Sequence, residues 1–124
     1  MDYKLWIMPV LKGKTDAIRE YCRKLEGERR AEFATSQQRL GIAQEIFWLW
    51  QGPDGRDYII LYMSGADMTK ALKDWADSEL PFEAWGKGTW AEFCTEVPEP
   101  LWASGEQSPY VLEAISTYDV KYVP

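Results

Sequence analysis

The sequence predicts an α+β domain in which one four-stranded antiparallel sheet carries its helices on a single face. Two observations lead there. Strand-like and helix-like periodicities follow in the order β, α, β, β, α, β, and a Gly-Pro-Asp-Gly turn joins two apolar runs near the middle of the chain. Length agrees with a single domain over residues 1–124: a chain of 124 residues buries roughly two thirds of the surface its unfolded form exposes and needs no metal or disulfide to fold.

Residues 3–11 (YKLWIMPVL) are strand formers, apolar at almost every position, and predict a strand covered on both faces, with Pro9 near its end or on an edge. Gly13 breaks it. Thr15 and Asp16 supply an N-cap and a carboxylate for the positive end of a helix whose buried stripe is Ala17, Ile18, Tyr21, Cys22 and Leu25. Phe33 and Leu40 continue the stripe, so one long helix is expected up to Gly41, with Gly27 as its kink. Residues 45–51 (EIFWLWQ) and 57–64 (DYIILYMS) form a hairpin around the Gly52-Pro53-Asp54-Gly55 turn.

Asp67 then caps a second helix carrying Met68, Ala71, Leu72, Trp75 and Ala76 on one face. Pro81 opens a short helical appendage with Phe82, Trp85, Trp90 and Phe93, loosened by Gly86 and Gly88. Residues 97–109 read as an irregular connection, and residues 111–118 as the last strand. This element order is the ferredoxin-like split βαβ pattern, βαββαβ.

Two helices cover only one side of such a sheet. With Gln51 opposite Asp57, the hairpin puts Ile46, Trp48, Trp50, Tyr58, Ile60 and Tyr62 on one face and Glu45, Phe47, Leu49, Ile59, Leu61 and Met63 on the other. The second, aliphatic set suits packing beneath helices. The first is assigned to the free face, together with Trp6 and Met8. An aromatic face of that extent exceeds what soluble monomers expose, so a second copy is expected to cover it, giving a homodimer whose two sheets form a closed, partly hollow barrel. Its aromatics are then either dimer core or the lining of a pocket for a planar or apolar small molecule.

Composition excludes much chemistry. Histidine is absent, which removes histidine bases, imidazole metal ligands and histidine-ligated haem. Neither a metal nor another cofactor is expected. A net charge of −6, with residues 66–124 carrying four basic against eleven acidic side chains, argues against a nucleic-acid partner. Cys22 and Cys94 fit neither a disulfide framework nor a zinc site and read as buried or idle thiols. No signal peptide or membrane span is visible, so the cytoplasm and no membrane partner are the expectation.

The opening KLWIMPVLKGK, the long helix running to RLGI and the stretch QEIFWLWQGPDGRDYIILYMSGADM together resemble the dimeric α+β barrel superfamily. That group includes antibiotic biosynthesis monooxygenases, polyketide cyclases, muconolactone isomerases and stress-responsive barrel proteins. The resemblance covers most of residues 3–118. It implies the dimeric barrel fold and, for function, binding of an aromatic or polycyclic metabolite with cofactor-independent cyclase, isomerase or monooxygenase chemistry, or alternatively a non-catalytic ligand-binding or structural homodimer. Members that rely on a catalytic or haem-binding histidine are not guides to this chain.

The candidate catalytic residues are Glu45 and Tyr62. Glu45 opens a strand among apolar neighbours, where desolvation would make it a usable acid or base; alternatively it is an exposed strand end or a partner for Arg39. Tyr62 would donate to a carbonyl or enolate, or simply pack. The candidate ligand-binding residues are Trp6, Trp48, Trp50, Tyr58, Trp85 and Trp90, the last two as a lid over one barrel end or as anchors of the appendage.

Overall fold

The computed structural model describes residues 1–93 and the backbone of residues 111–113. Its elements are β1 (Asp2–Pro9), α1 (Thr15–Glu26), α2 (Arg30–Leu40), β2 (Ile42–Gln51), β3 (Asp57–Gly65), α3 (Met68–Asp77), α4 (Pro81–Phe93) and β4 (Val111–Glu113). The body of the sheet is three long antiparallel strands, with β3 central between β2 and β1, and β4 pairs antiparallel with Lys4–Trp6 on the far side of β1. Cys94, the expected connection at 97–109 and the expected strand beyond residue 113 lie outside the described residues.

The hairpin has the expected register, Gln51 opposite Asp57 and Ile46 opposite Tyr62. Its turn explains two of its residues. The Gly52 N–H donates to Arg56 O, and a Cβ on Gly52 would meet the Tyr58 ring at 2.7 Å, so only glycine fits. Asp54 takes the Tyr58 hydroxyl on one oxygen and the Arg56 N–H on the other.

β1 corrects the sequence reading. Trp6 pairs with Leu61 and Met8 with Ile59, which places both on the helix side, 1% and 0% exposed, and not on the free face. The residues β1 gives to the free face are Tyr3, Leu5, Ile7 and Pro9. The hairpin's aromatic set does lie there: Trp48 is 47% and Trp50 44% exposed, Trp50 contacts Tyr58, and Tyr3 stacks on Tyr62. No charged side chain stands among these residues.

Four helices cover the other face. The expected long helix is two, because the chain tightens over residues 27–29, where Arg29 N–H and Gly27 N–H both bond Lys24 O. Gly41 ends α2 in the left-handed region (φ +74°), turning the chain directly into β2 three residues earlier than expected. The expected appendage is a continuous helix of 13 residues, α4, with Trp90 and Phe93 in the core. It is tied to α3 by Lys87, whose Nζ donates to Ala76 O and Ser78 O at the carbonyl end of that helix, and to α2 by an ion pair between Arg39 and the buried Glu83.

The opposite end of α3 is held by two carboxylates. Asp67 accepts from Lys70 N–H, and Asp2, brought over by β1, accepts from Met68 N–H, each at 3.0 Å. Replacing Asp67 by alanine leaves one of these amides without its partner. A loss of about 1 kcal/mol, read as a lower urea midpoint at unchanged slope, is expected.

Candidate functional site

Between the sheet and the helical layer lies a cavity of about 60 Å³. Its floor is Trp6 and Met8 of β1, Leu61 and Met63 of β3, and Ile42 and Glu45 of β2. Its walls are Tyr21 of α1, Phe33, Ser36 and Gln37 of α2, Ala71, Leu72 and Trp75 of α3, and Phe82, Gly86 and Trp90 of α4. The packing that builds it is aromatic. Tyr21 lies against Phe47, Trp85, Trp90 and Phe93 with ring centroids 5.1–6.3 Å apart, and Phe82 bridges Phe33 and Trp85. Bulky rings meeting edge to face leave gaps that flexible aliphatic chains would fill.

Three polar groups define the cavity chemically. The Glu45 carboxylate has one hydrogen-bond partner, Gln37 Nε2 at 2.7 Å, and burial pushes its pKa up to about 7. Among the described residues no basic side chain acts on it. The Trp6 indole N–H is buried with no hydrogen-bond partner among the described residues, which costs on the order of 1–3 kcal/mol unless something accepts from it. The Tyr21 hydroxyl, bonded by the Trp90 side chain, is held neutral well beyond the ordinary tyrosine range by burial and by the nearby Glu45 charge. Cys22, on the same helix, is free and is pushed up to about 11 by burial and by Glu26 and Glu45.

The sequence-derived candidates divide into two groups, one on each side of the sheet. Glu45, Trp6 and Trp90 line the cavity. Trp85 stands behind Tyr21, with the Arg29 guanidinium 4.2 Å above its other surface, so it braces the wall. Trp48, Trp50, Tyr58 and Tyr62 are on the opposite, free face. The proposed catalytic pair therefore does not meet: Glu45 pairs with Met63 and Tyr62 with Ile46, and adjacent positions on a strand point to opposite faces. Arg39 is not the partner of Glu45 either, since it is engaged by Glu83. With α4 a packed helix, Trp85 and Trp90 belong to the helical layer and form no lid.

The lining residues that sequence reasoning missed have unequal visibility. Tyr21, Trp75 and Phe82 were marked as apolar-stripe positions and carry no further signal that they border an unfilled space. Gln37 sits on a helix with almost no apolar periodicity, so nothing marked its inward orientation. Among the described residues no helix is long and apolar enough to cross a membrane. Compared with models of protein families, with curated proteins and with solved structures, the chain matches none.

Proposed function

We propose that this protein binds a small organic molecule in the cavity between sheet and helices, and that Glu45 gives or takes a proton on it. The observation that carries this reading is the pairing, in one aromatic cavity, of a carboxyl group poised near neutrality with an indole N–H that has no acceptor among the described residues. Native interiors rarely leave such groups unmatched outside functional sites. A proton-transfer reaction of the isomerase or cyclase type needs no cofactor and is the chemistry a single tuned carboxylate supports. The cavity volume favours a ligand of one ring or less over a polycyclic one.

The resemblance to dimeric α+β barrels adds a second part to the proposal: a ferredoxin-like four-stranded sheet whose free face pairs with a second copy. The half-exposed Trp48 and Trp50 on that face support it. In this arrangement the ligand site lies inside each subunit and the sheet face serves association.

Amide and indole spectra recorded with a panel of small uncharged and charged organic fragments test the site. Shifts are expected at the indole N–H groups of Trp6, Trp75 and Trp90 and not at those of Trp48 and Trp50. Gly86→Ala sharpens the test. Its new methyl would stand 3.4 Å from the Trp75 ring and 3.6 Å from the Tyr21 hydroxyl, inside the cavity. The variant should gain about 0.5–1 kcal/mol of stability from helix propensity while weakening fragment binding. Shifts confined to Trp48 and Trp50 would move the site to the sheet face, and an unresponsive spectrum across the panel would end the proposal.

A further inference from the structure

We propose that the ligand of this cavity is a small organic ammonium ion carrying a hydroxyl or carbonyl acceptor, the ammonium held by Glu45 and the acceptor by the Trp6 N–H. This inference rests on the cavity being the binding site and narrows what enters it. Six aromatic side chains, Trp6, Tyr21, Phe33, Trp75, Phe82 and Trp90, line the cavity, and no lysine or arginine does. Ring faces attract cations, and a carboxylate beside them adds the countercharge. Three basic side chains of the surrounding helices are engaged elsewhere: Arg39 with Glu83, Arg29 with Glu32 and the Trp85 ring, and Lys87 with two carbonyls.

A part-buried carboxylate with one amide partner and no ion pair among the described residues is neutralised either by a proton or by a cationic ligand. An ammonium ion supplies the second and leaves Glu45 ionised, the form that accepts a proton. An anionic ligand would meet repulsion from Glu45.

Size and spacing narrow the class. A water occupies about 10–15 Å³ on this measure, so a volume of about 60 Å³ holds about four to six non-hydrogen atoms. Glu45 pairs with Met63 and Trp6 with Leu61, on strands that flank β3, so their backbones are roughly 10 Å apart across the sheet and roughly 7 Å along it. A ligand that bridges the two side chains within so small a volume carries its amine and its acceptor two or three carbons apart.

The test uses the full chain, its assigned indole resonances and four probes of nearly equal size: ethanolamine, n-propylammonium, 1-propanol and propionate. Ethanolamine is expected to shift the Trp6 indole signal saturably, with n-propylammonium weaker, 1-propanol at least ten-fold weaker and propionate silent. Glu45→Gln, which keeps shape and an acceptor for Gln37, should weaken ethanolamine at least ten-fold. Ethanolamine affinity should also rise between about pH 6 and 8 as Glu45 ionises. Of the other titratable groups on the helix side, Tyr21 and Cys22 of α1 stay neutral over that range. Lys4 of β1, buried and paired with the same Met63 as Glu45, stands two strands away and is not among the causes that shift it. If 1-propanol binds as tightly as ethanolamine and Glu45→Gln changes neither, the cavity remains a site and the ammonium assignment is overturned. If none of the probes, nor any uncharged fragment, shifts the cavity indoles, the binding site itself is wrong.

Discussion

At about pH 8, Glu45→Gln is expected to be more stable than the unmodified chain by up to about 3 kcal/mol, and at about pH 4 the two should unfold alike. Burial raises the Glu45 pKa from 4.5 in the ordinary case to about 7 in the folded protein. Between those values the folded state holds a proton that the unfolded state has released. Stability therefore falls as pH rises through this window, and the loss is complete once the folded carboxyl has also ionised. Glutamine has no proton to lose and escapes the penalty. Urea titrations of both proteins at three pH values measure it directly, with a midpoint difference of roughly 1–2 M expected at the highest and little at the lowest. A difference that did not change with pH would show that Glu45 ionises as an ordinary surface carboxylate.

If the free face pairs with a second copy as proposed, Trp48→Glu should convert that dimer to a monomer without unfolding it. Trp48 lies on the outer strand β2, pairs with Ile60 on the free face and is 47% exposed in the single chain, so the subunit's own core loses little when the ring is removed. In the dimer two carboxylates would be forced into an apolar interface. Truncating a central aromatic anchor already costs about 2–4 kcal/mol, so weakening of dimerisation by at least a hundred-fold is expected. Sedimentation of the unmodified protein and the variant at matched concentrations reads it. A monomeric unmodified protein at tens of micromolar, or a variant that sediments with it, would remove the role assigned to this face.

The sequence reading was strongest where two independent signals agreed. In the hairpin, a Gly-Pro-Asp-Gly turn fixed where the strands reverse and the aromatic-aliphatic alternation fixed which side each residue takes. β1 offered only one signal. YKLWIMPVL is apolar on both faces, so alternation could not set its phase, and Trp6 and Met8 were placed on the wrong side. Only pairing with β3 decides it. Glu45 was visible as a carboxyl among apolar neighbours, but its environment was not. Arg39 and Gln37 are two residues apart on α2, on different sides of the helix, and the helix lacks the periodicity that would say which turns inward. The cavity itself arises from how the four described helices fit over one sheet, and α4 reads from sequence as an appendage because Gly86 and Gly88 weaken its propensity.

The sheet that divides the aromatic residues also divides the protein's light emission. Among the described tryptophans, Trp6, Trp75, Trp85 and Trp90 belong to the helical side, and Trp48 and Trp50 stand on the other, half open to solvent. The buried Trp6 and Trp90 of the first set should fluoresce at shorter wavelength, shielded from a dissolved quencher such as iodide, and the second set at longer wavelength and within its reach. Ligand entry would perturb the shielded component, and subunit association the quenchable one. One emission spectrum, recorded with and without quencher, thus separates two events that a single unresolved intensity would confuse.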